Sequence, residues 1–125
     1  VQASVIAKDL AEPQAAEELY NEVKSSHGGI DVLVNDAGVG VYGYFWETDM
    51  QEELDMIQIN AVALYVLTKL FVKDMVARGS GKVLQLASVV SKSPNPLQSV
   101  YSATKAFIYN LTIALHRELK DTGVT

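Results

Sequence analysis

Strand-like and helix-like runs alternate along this chain, and that alternation limits its fold more than any other feature. Val5-Ile6-Ala7 is rich in β-branched residues and exits at Lys8-Asp9-Leu10, as a strand would. Ala11-Glu12-Pro13 then opens an expected helix, with Pro13 in its first turn, running to about Ser26. Its apolar positions Ala16, Leu19, Tyr20 and Val23 form one stripe, and His27-Gly28-Gly29 ends it. Ile30 to Val34 is apolar except for Asp31, the pattern of a strand buried on both faces.

A loop rich in glycine and aromatic residues follows, and a long helical pattern covers about Met50 to Arg78. Gly79-Ser80-Gly81 closes that helix, and Lys82 to Ala87 reads as a third strand ending at Ser88. A loop with Pro94 and Pro96 leads to a last helix from near Val100 or Tyr101 to about Asp121. Gly123-Val124-Thr125 looks like the start of another strand. Three strands separated by helices predict βαβ units and a parallel sheet. The expected class is therefore α/β, in the order β-α-β-α-β-α and truncated at both ends.

Composition narrows the function classes. At 125 residues, 49% hydrophobic and 20% charged, the chain suits one globular domain and not a disordered one. The net charge of −5, with lysines and arginines scattered, disfavours nucleic acid and anionic membrane as partners. The absence of cysteine removes disulfides, thiolate nucleophiles and thiolate-bound metals together. Ala61 to Leu67, the longest unbroken apolar stretch, falls short of the about 20 residues that span a bilayer. Lys8-Asp9 interrupts any signal-peptide pattern, so a cytoplasmic setting is expected.

The chemistry concentrates around Tyr101 and Lys105, four residues apart on one helix face. A phenol is a poor base at neutral pH, and an ammonium group within about 4–6 Å favours its charged form. Such a pair can exchange a proton with a carbonyl or hydroxyl. Spacing alone does not single it out, because Tyr20 with Lys24 and Tyr65 with Lys69 repeat it. Position does. Tyr101 stands at a helix start, after a strand that ends in Ser88, and open α/β sheets bind ligands at the carboxyl ends of their strands. Ser102-Ala103-Thr104 and Ala106 are small and leave room for a flat ligand, and Ser88 is placed to donate to the same substrate oxygen.

Tyr101-Ser-Ala-Thr-Lys105, with Ser88 thirteen residues before the tyrosine, resembles the catalytic signature of the classical short-chain dehydrogenases/reductases. Asn35-Asp-Ala-Gly38 resembles that family's Asn-Asn-Ala-Gly motif, Asn60 its helix asparagine, and Asp9-Leu10 the pair that meets adenine. The resemblance covers the chain in family order. It implies a partial Rossmann-like, doubly wound parallel sheet, with residues 1–125 forming the central part of a single NAD(P)-binding catalytic domain.

The resemblance also implies roles. Tyr101 would be the general acid in reduction and the general base in oxidation. Lys105 would hold the nicotinamide ribose, Ser88 would polarise the substrate carbonyl, and Asn60 would hold a relay water. Asn35, Ala37 and Gly38, with Tyr101 and Lys105, would line the cofactor, and Asp9 would accept from the adenine amino group. The implied cofactor is NAD or NADP, with NADPH slightly favoured, and the implied substrate a small carbonyl compound or secondary alcohol. Because family members pair their long helices, a homodimer or homotetramer is expected of the complete protein.

Two departures from the pattern stand out. Asp36 replaces the second asparagine, keeping an acceptor and losing a donor. No Gly-rich pyrophosphate turn follows the first strand, so the chain is expected to begin in the family's third strand. In the strand order 3-2-1-4-5-6, Val5-Ile6 would then lack the neighbours that join it to Val32-Leu33. The first segment is accordingly expected to be stranded, and the isolated polypeptide poorly stable.

Other features have plainer readings. His27 and His116 lack ligand spacing, so no metal site is expected. Glu17-Glu18 and Glu52-Glu53 read as solvated helix faces. Tyr42, Tyr44, Phe45 and Trp46 are expected to pack their loop, the other reading being a wall of the substrate cleft. Two further functions compete: a sugar-nucleotide epimerase or dehydratase of the extended branch, and a non-catalytic fragment or oligomerisation module. Cofactor binding separates the last from an enzyme.

Overall fold

The computed structural model describes residues 2–125. Two parallel strands carry the frame: β1, Val32–Asn35, and β2, Lys82–Gln85, with Val32 opposite Lys82 and Asn35 opposite Gln85. The chain end adds the beginning of a third line, as Val124 bridges Gly81 in parallel and Thr125 exchanges backbone hydrogen bonds with Gly81 and Val83. Parallel pairing requires a long return path. That path between β1 and β2 is one continuous helical run.

The run consists of α2 (Met50–Ile57), a wider π-helical turn (Gln58–Ala63) and α3 (Leu64–Arg78). Asp49 starts it by accepting from the Gln51 and Glu52 amides, which leaves two fewer orphan donors at the first turn. Gly79, at φ 76°, ends it in the left-handed conformation that glycine adopts without a Cβ clash. Met50–Arg78 is long and apolar enough to cross a bilayer by length and composition, and 44% of its most apolar window is buried inside the protein.

Helix α1 (Ala15–His27) packs along α3, and α4 (Ser99–Glu118) packs against the π turn and β2. The core gathers on one side of the sheet, where Leu33 meets Ala16, Leu67, Phe71 and Met75. Tyr20 sets its ring edge-on to Phe71 and donates to Asp74, which also receives Lys24, so α1 and α3 are joined by packing and by charge.

Three expectations need correction. Val5-Ile6-Ala7 forms no strand; Val5 is 93% exposed, and among the described residues no neighbouring strand hydrogen-bonds it. The β1 strand is covered on one face only, since Leu33 and Asn35 are buried while Val32 and Val34 are half exposed, as is Leu84 of β2. Among the described residues, no helix packs on that second face. Pro13 precedes α1 instead of entering it: the turn at Asp9 to Glu12 uses those residues first, and the helix begins at Ala15.

Candidate active site

A cleft of about 460 Å3 opens at the carboxyl ends of β1 and β2. From the end of β1 it is bordered by Asp36, Gly38, Val39 and Gly40, and from the end of β2 by Leu86 and Ala87. Gln98, just before α4, and Tyr101 and Lys105 in its first turns complete the border. Position in the fold thus separates the three tyrosine–lysine pairs. Tyr20 with Lys24 ties two helices together, Tyr65 with Lys69 borders a groove between α3 and α4, and Tyr101 with Lys105 faces the cleft.

Lys105 is almost fully buried, and its Nζ donates to the Leu86 carbonyl oxygen at 2.9 Å. A buried ammonium carries three donors that need partners, so one bond to β2 leaves capacity toward the cleft. The same Nζ lies 5.9 Å from the centre of the Tyr101 ring. Gly38 makes room for it, since a Cβ there would stand 3.3 Å from Lys105 Nζ and 3.4 Å from Asn60 Oδ1. Gly40 lies against Tyr101 in the same way, its position for a Cβ 3.6 Å from the ring. Loop and helix therefore approach without side chains between them.

Asn60 sits fully buried in the π turn and grips the loop backbone. Its Oδ1 accepts from Val39 N at 2.9 Å, and its Nδ2 donates to Val39 O at 2.8 Å and to Thr104 Oγ1 at 3.2 Å. π turns inside α-helices concentrate at functional sites because they re-aim a side chain and disturb the backbone ladder. With its side chain committed, only the main chain of Asn60 is left to address a water.

Ser88 follows Ala87 at the end of β2 and caps the short turn Val89–Ser91. Its Oγ accepts from Val90 N at 3.4 Å, and its own N donates to Ser91 Oγ. That long contact leaves the hydroxyl proton free to donate. The turn packs on α4, and Ser88 itself is not among the residues that line the cleft, whose border from β2 is Leu86 and Ala87.

Asn35 points the other way. Its Nδ2 donates to Thr68 Oγ1 at 3.0 Å and to Gln85 Oε1 at 2.9 Å, while Gln85 Nε2 donates to Thr68 Oγ1 at 2.7 Å. This closed triangle ties β1, β2 and α3 together directly below the Asp36-Ala37-Gly38 turn. Asp9 folds into a local turn, its Oδ1 accepting from Ala11 N. Leu10 borders a hollow of about 270 Å3 that it shares with Asn35, Asp36 and Ala37. Asp9-Leu10 and the Asn35–Gly38 turn are therefore neighbours, although more than twenty residues separate them.

The aromatic loop is the clearest departure from expectation. Tyr42, Tyr44, Phe45 and Trp46 are all exposed, with Tyr44 and Trp46 stacked at 4.9 Å. Four site features escaped the sequence reading: the Thr104 hydroxyl behind Asn60, the Leu86 carbonyl that holds Lys105, the Thr68–Gln85 support, and Gln98 on the cleft wall. None of these carried a local signal; Gln98 precedes α4 with a non-helical backbone, so helix periodicity does not reach it.

Known proteins resemble this chain in sequence and fold. The family model described as short chain dehydrogenase matches residues 1–125. Ketoacyl reductase HetN of a Nostoc species is 34% identical over 122 residues, taking in 98% of this chain and 42% of that protein. A 3-oxoacyl-(acyl-carrier-protein) reductase of Staphylococcus epidermidis is 33% identical over 125 residues, all of this chain and 51% of that protein. Among solved structures, a metagenomic short-chain oxidoreductase in complex with NADP superposes with a TM-score of 0.91 at 31% identity, covering 98% of this chain and 55% of that one. The chain spans about half, or less, of the length of these curated relatives. On a family match over its whole length, the chain belongs to the short-chain dehydrogenase family.

Proposed function

We propose that this chain is the central part of a single Rossmann-like catalytic domain, residues 1–125, and that the domain interconverts a carbonyl and a secondary alcohol with NAD or NADP. One observation carries the reading: Lys105 Nζ is buried between Leu86 O and Gly38, 5.9 Å from the Tyr101 ring, at the carboxyl ends of two parallel strands. The names of the relatives, reductases of ketoacyl and oxoacyl groups, and the NADP held by the metagenomic structure support it.

The residues fit such a cofactor. Gly38 and Gly40 leave the loop edge bare beside Lys105 and Tyr101, as close approach of a ribose and ring requires. When bound, the nicotinamide supplies or takes the hydride. Tyr101 gives a proton to the carbonyl oxygen in reduction and takes it back in oxidation, and Ser88 donates to that oxygen and orients it. Lys105 holds the ribose hydroxyls, and the Asn60 main chain holds a water on the proton path. Asp9 and Leu10 would meet the adenine, Leu10 from the hollow that it shares with Ala37. Asn35 acts through the backbone, holding Ala37 and Gly38 in place while its own amide is bonded to Thr68 and Gln85.

The full-length protein should oxidise NADPH or NADH when a small ketone is added, read as loss of nicotinamide absorbance. Failure to bind either cofactor in a fluorescence titration would transfer the chain to the non-catalytic, oligomerisation reading. That second reading has its own support in the groove of about 600 Å3 between α3 and α4, lined by Tyr65, Val72, Val76, Leu111 and Leu115. We assign this groove to a homodimer or homotetramer contact within an enzyme, checked by size-exclusion of the full-length protein. A cytoplasmic setting for the complete protein is part of the same proposal.

A further inference from the structure

Thr104 lies between Tyr101 and Lys105 in α4, and its hydroxyl joins that helix to the π turn. The hydroxyl donates its one proton to the Tyr101 carbonyl oxygen at 2.8 Å. In an α-helix the same carbonyl also takes the amide of the residue four ahead, here Lys105. With its proton committed, the hydroxyl turns a lone pair outward, and that lone pair accepts from Asn60 Nδ2 at 3.2 Å. Thr104 is 4% exposed and Asn60 0%, so bulk water does not replace this bond.

A bond back to its own helix would be ordinary for a threonine. Thr112, further along α4, bonds to Ile108 O in the same way at 2.7 Å, with no second partner among the described residues. Thr104 differs because it also meets a buried side chain that holds the loop after β1. Asn60 uses Oδ1 on Val39 N at 2.9 Å and one Nδ2 proton on Val39 O at 2.8 Å. Thr104 takes the remaining proton of that amide. Gly38, the residue before Val39, has Lys105 Nζ and Asn60 Oδ1 at 3.3 and 3.4 Å from where a Cβ would stand. A shift of the Asn60 amide therefore moves the backbone beside Lys105 Nζ.

We propose that Thr104 is a positioning residue, which sets Asn60, and through it the Gly38–Val39 backbone, against the Tyr101–Lys105 pair. It touches neither substrate nor cofactor. The inference rests on the assignment of the proton step to Tyr101 and Lys105 made above. Removing the hydroxyl leaves one Nδ2 proton buried without a partner, a state the amide escapes only by turning or shifting. Either movement loosens the bonds to Val39 and frees the loop edge beside Lys105. Misplacement of this kind slows the chemical step and leaves the binding of reactants largely unchanged.

The test uses the full-length protein with NADPH or NADH and butane-2,3-dione as the carbonyl compound. In Thr104→Val, which keeps the shape and loses the hydroxyl, kcat should fall about tenfold. KM for the dione and Kd for the cofactor should stay within about twofold, the mark of an interaction lost only at the transition state. Retained cofactor binding also reports that the variant has folded. The solvent deuterium isotope effect on kcat should rise, because a slower proton step then limits more of the turnover. Thr104→Ser, which restores the hydroxyl, should return kcat to within about twofold of wild type. Thr104→Ala should repeat the valine result without a branched side chain.

Wild-type kcat in the valine and alanine variants would overturn the role, as would a loss that serine fails to restore. Failure of both variants to bind cofactor would also overturn it, leaving Thr104 a residue of the fold alone. Each of these outcomes leaves the reductase reading standing. A wild-type protein that reduces no dione with either cofactor would overturn the reductase reading, and this inference with it.

Discussion

The Asn60 side chain clasps the backbone of Val39 at two points, accepting from its N at 2.9 Å and donating to its O at 2.8 Å. Asn60 belongs to the π turn and Val39 to the loop leaving β1, so the clasp fastens one border of the cleft to the helix behind it. Thr104 Oγ1 completes it from α4. Asn60→Ala leaves the Val39 amide and carbonyl and the Thr104 hydroxyl short of partners in a buried setting. The full-length protein should lose about 2–4 kcal/mol of stability, read from the shift of a denaturant midpoint. A loss under about 0.5 kcal/mol would show that water replaces the clasp without cost.

Gly38 is tested by adding one carbon. In Gly38→Ala the new Cβ would meet Lys105 Nζ at 3.3 Å and Asn60 Oδ1 at 3.4 Å, so both must give by a few tenths of an ångström. Misplacing catalytic groups by about 1 Å can cost about a hundredfold in rate, and this smaller shift should cost about tenfold in kcat. Its thermal midpoint should change little. A variant with wild-type kcat would show that Lys105 has slack at this site.

Tyr101→Phe removes the hydroxyl and keeps the ring that packs on Gly40. Turnover of the full-length protein should fall by about 10²–10⁴-fold, while NAD(P)H affinity remains within a fewfold. Near-normal turnover would remove Tyr101 from the proton step.

The Tyr20–Asp74–Lys24 group gives stability a pH dependence at both ends. The hydrogen bond from Lys24, then that from Tyr20, holds the Asp74 carboxyl below its usual 3.8. A depressed pKa adds stability above the unfolded value and loses it as pH falls through the folded one, so this part fades below about pH 4. Lys24 is raised from 10.5 by its bond to Asp74, and Tyr20 from 10.0 by burial and then by Asp74. Raised groups contribute fully below their unfolded values and lose that contribution as pH climbs through the folded ones. Asp74→Asn should therefore flatten both limbs of a plot of urea midpoint against pH. Unchanged limbs would mean that the group is solvated in solution.

The 125-residue chain by itself should be weakly stable. Val32, Val34 and Leu84 are each more than half exposed on the uncovered face of a two-stranded sheet, and two strands alone are marginal in water. Its urea transition should be broad and early. A sharp, cooperative transition at high denaturant would overturn this prediction.

Much of this molecule was legible in its residues because the signals were local. Helix ends at Gly28 and Gly79, the strands around Leu33 and Val83, and the stripe of α1 each follow from a few adjacent side chains. The placing of Tyr101 ahead of Tyr20 and Tyr65 also came from local order, a strand end followed by a helix start. What failed was whatever depended on neighbours. Val5-Ile6-Ala7 has strand residues and forms no strand, because a strand exists only when another supplies its hydrogen bonds. The apolar run at Ile30 to Val34 promised two covered faces and has one, because burial belongs to the packing and not to the run.

The sequence by itself determined the alternation of elements, the parallel pairing that a long crossover imposes, and the set of groups able to handle a proton. Only the tertiary structure decided which of their atoms meet. It turned the Asn35 amide toward Thr68 and Gln85, occupied the Asn60 side chain with Val39, and hung Lys105 from the Leu86 carbonyl. It also tied the loop before α4 to the loop after β1, the Leu97 carbonyl accepting from Gly43 N. The reason is physical: chain chemistry dictates which bonds a residue is able to make, and packing between elements distant in sequence dictates which partner arrives within about 3 Å.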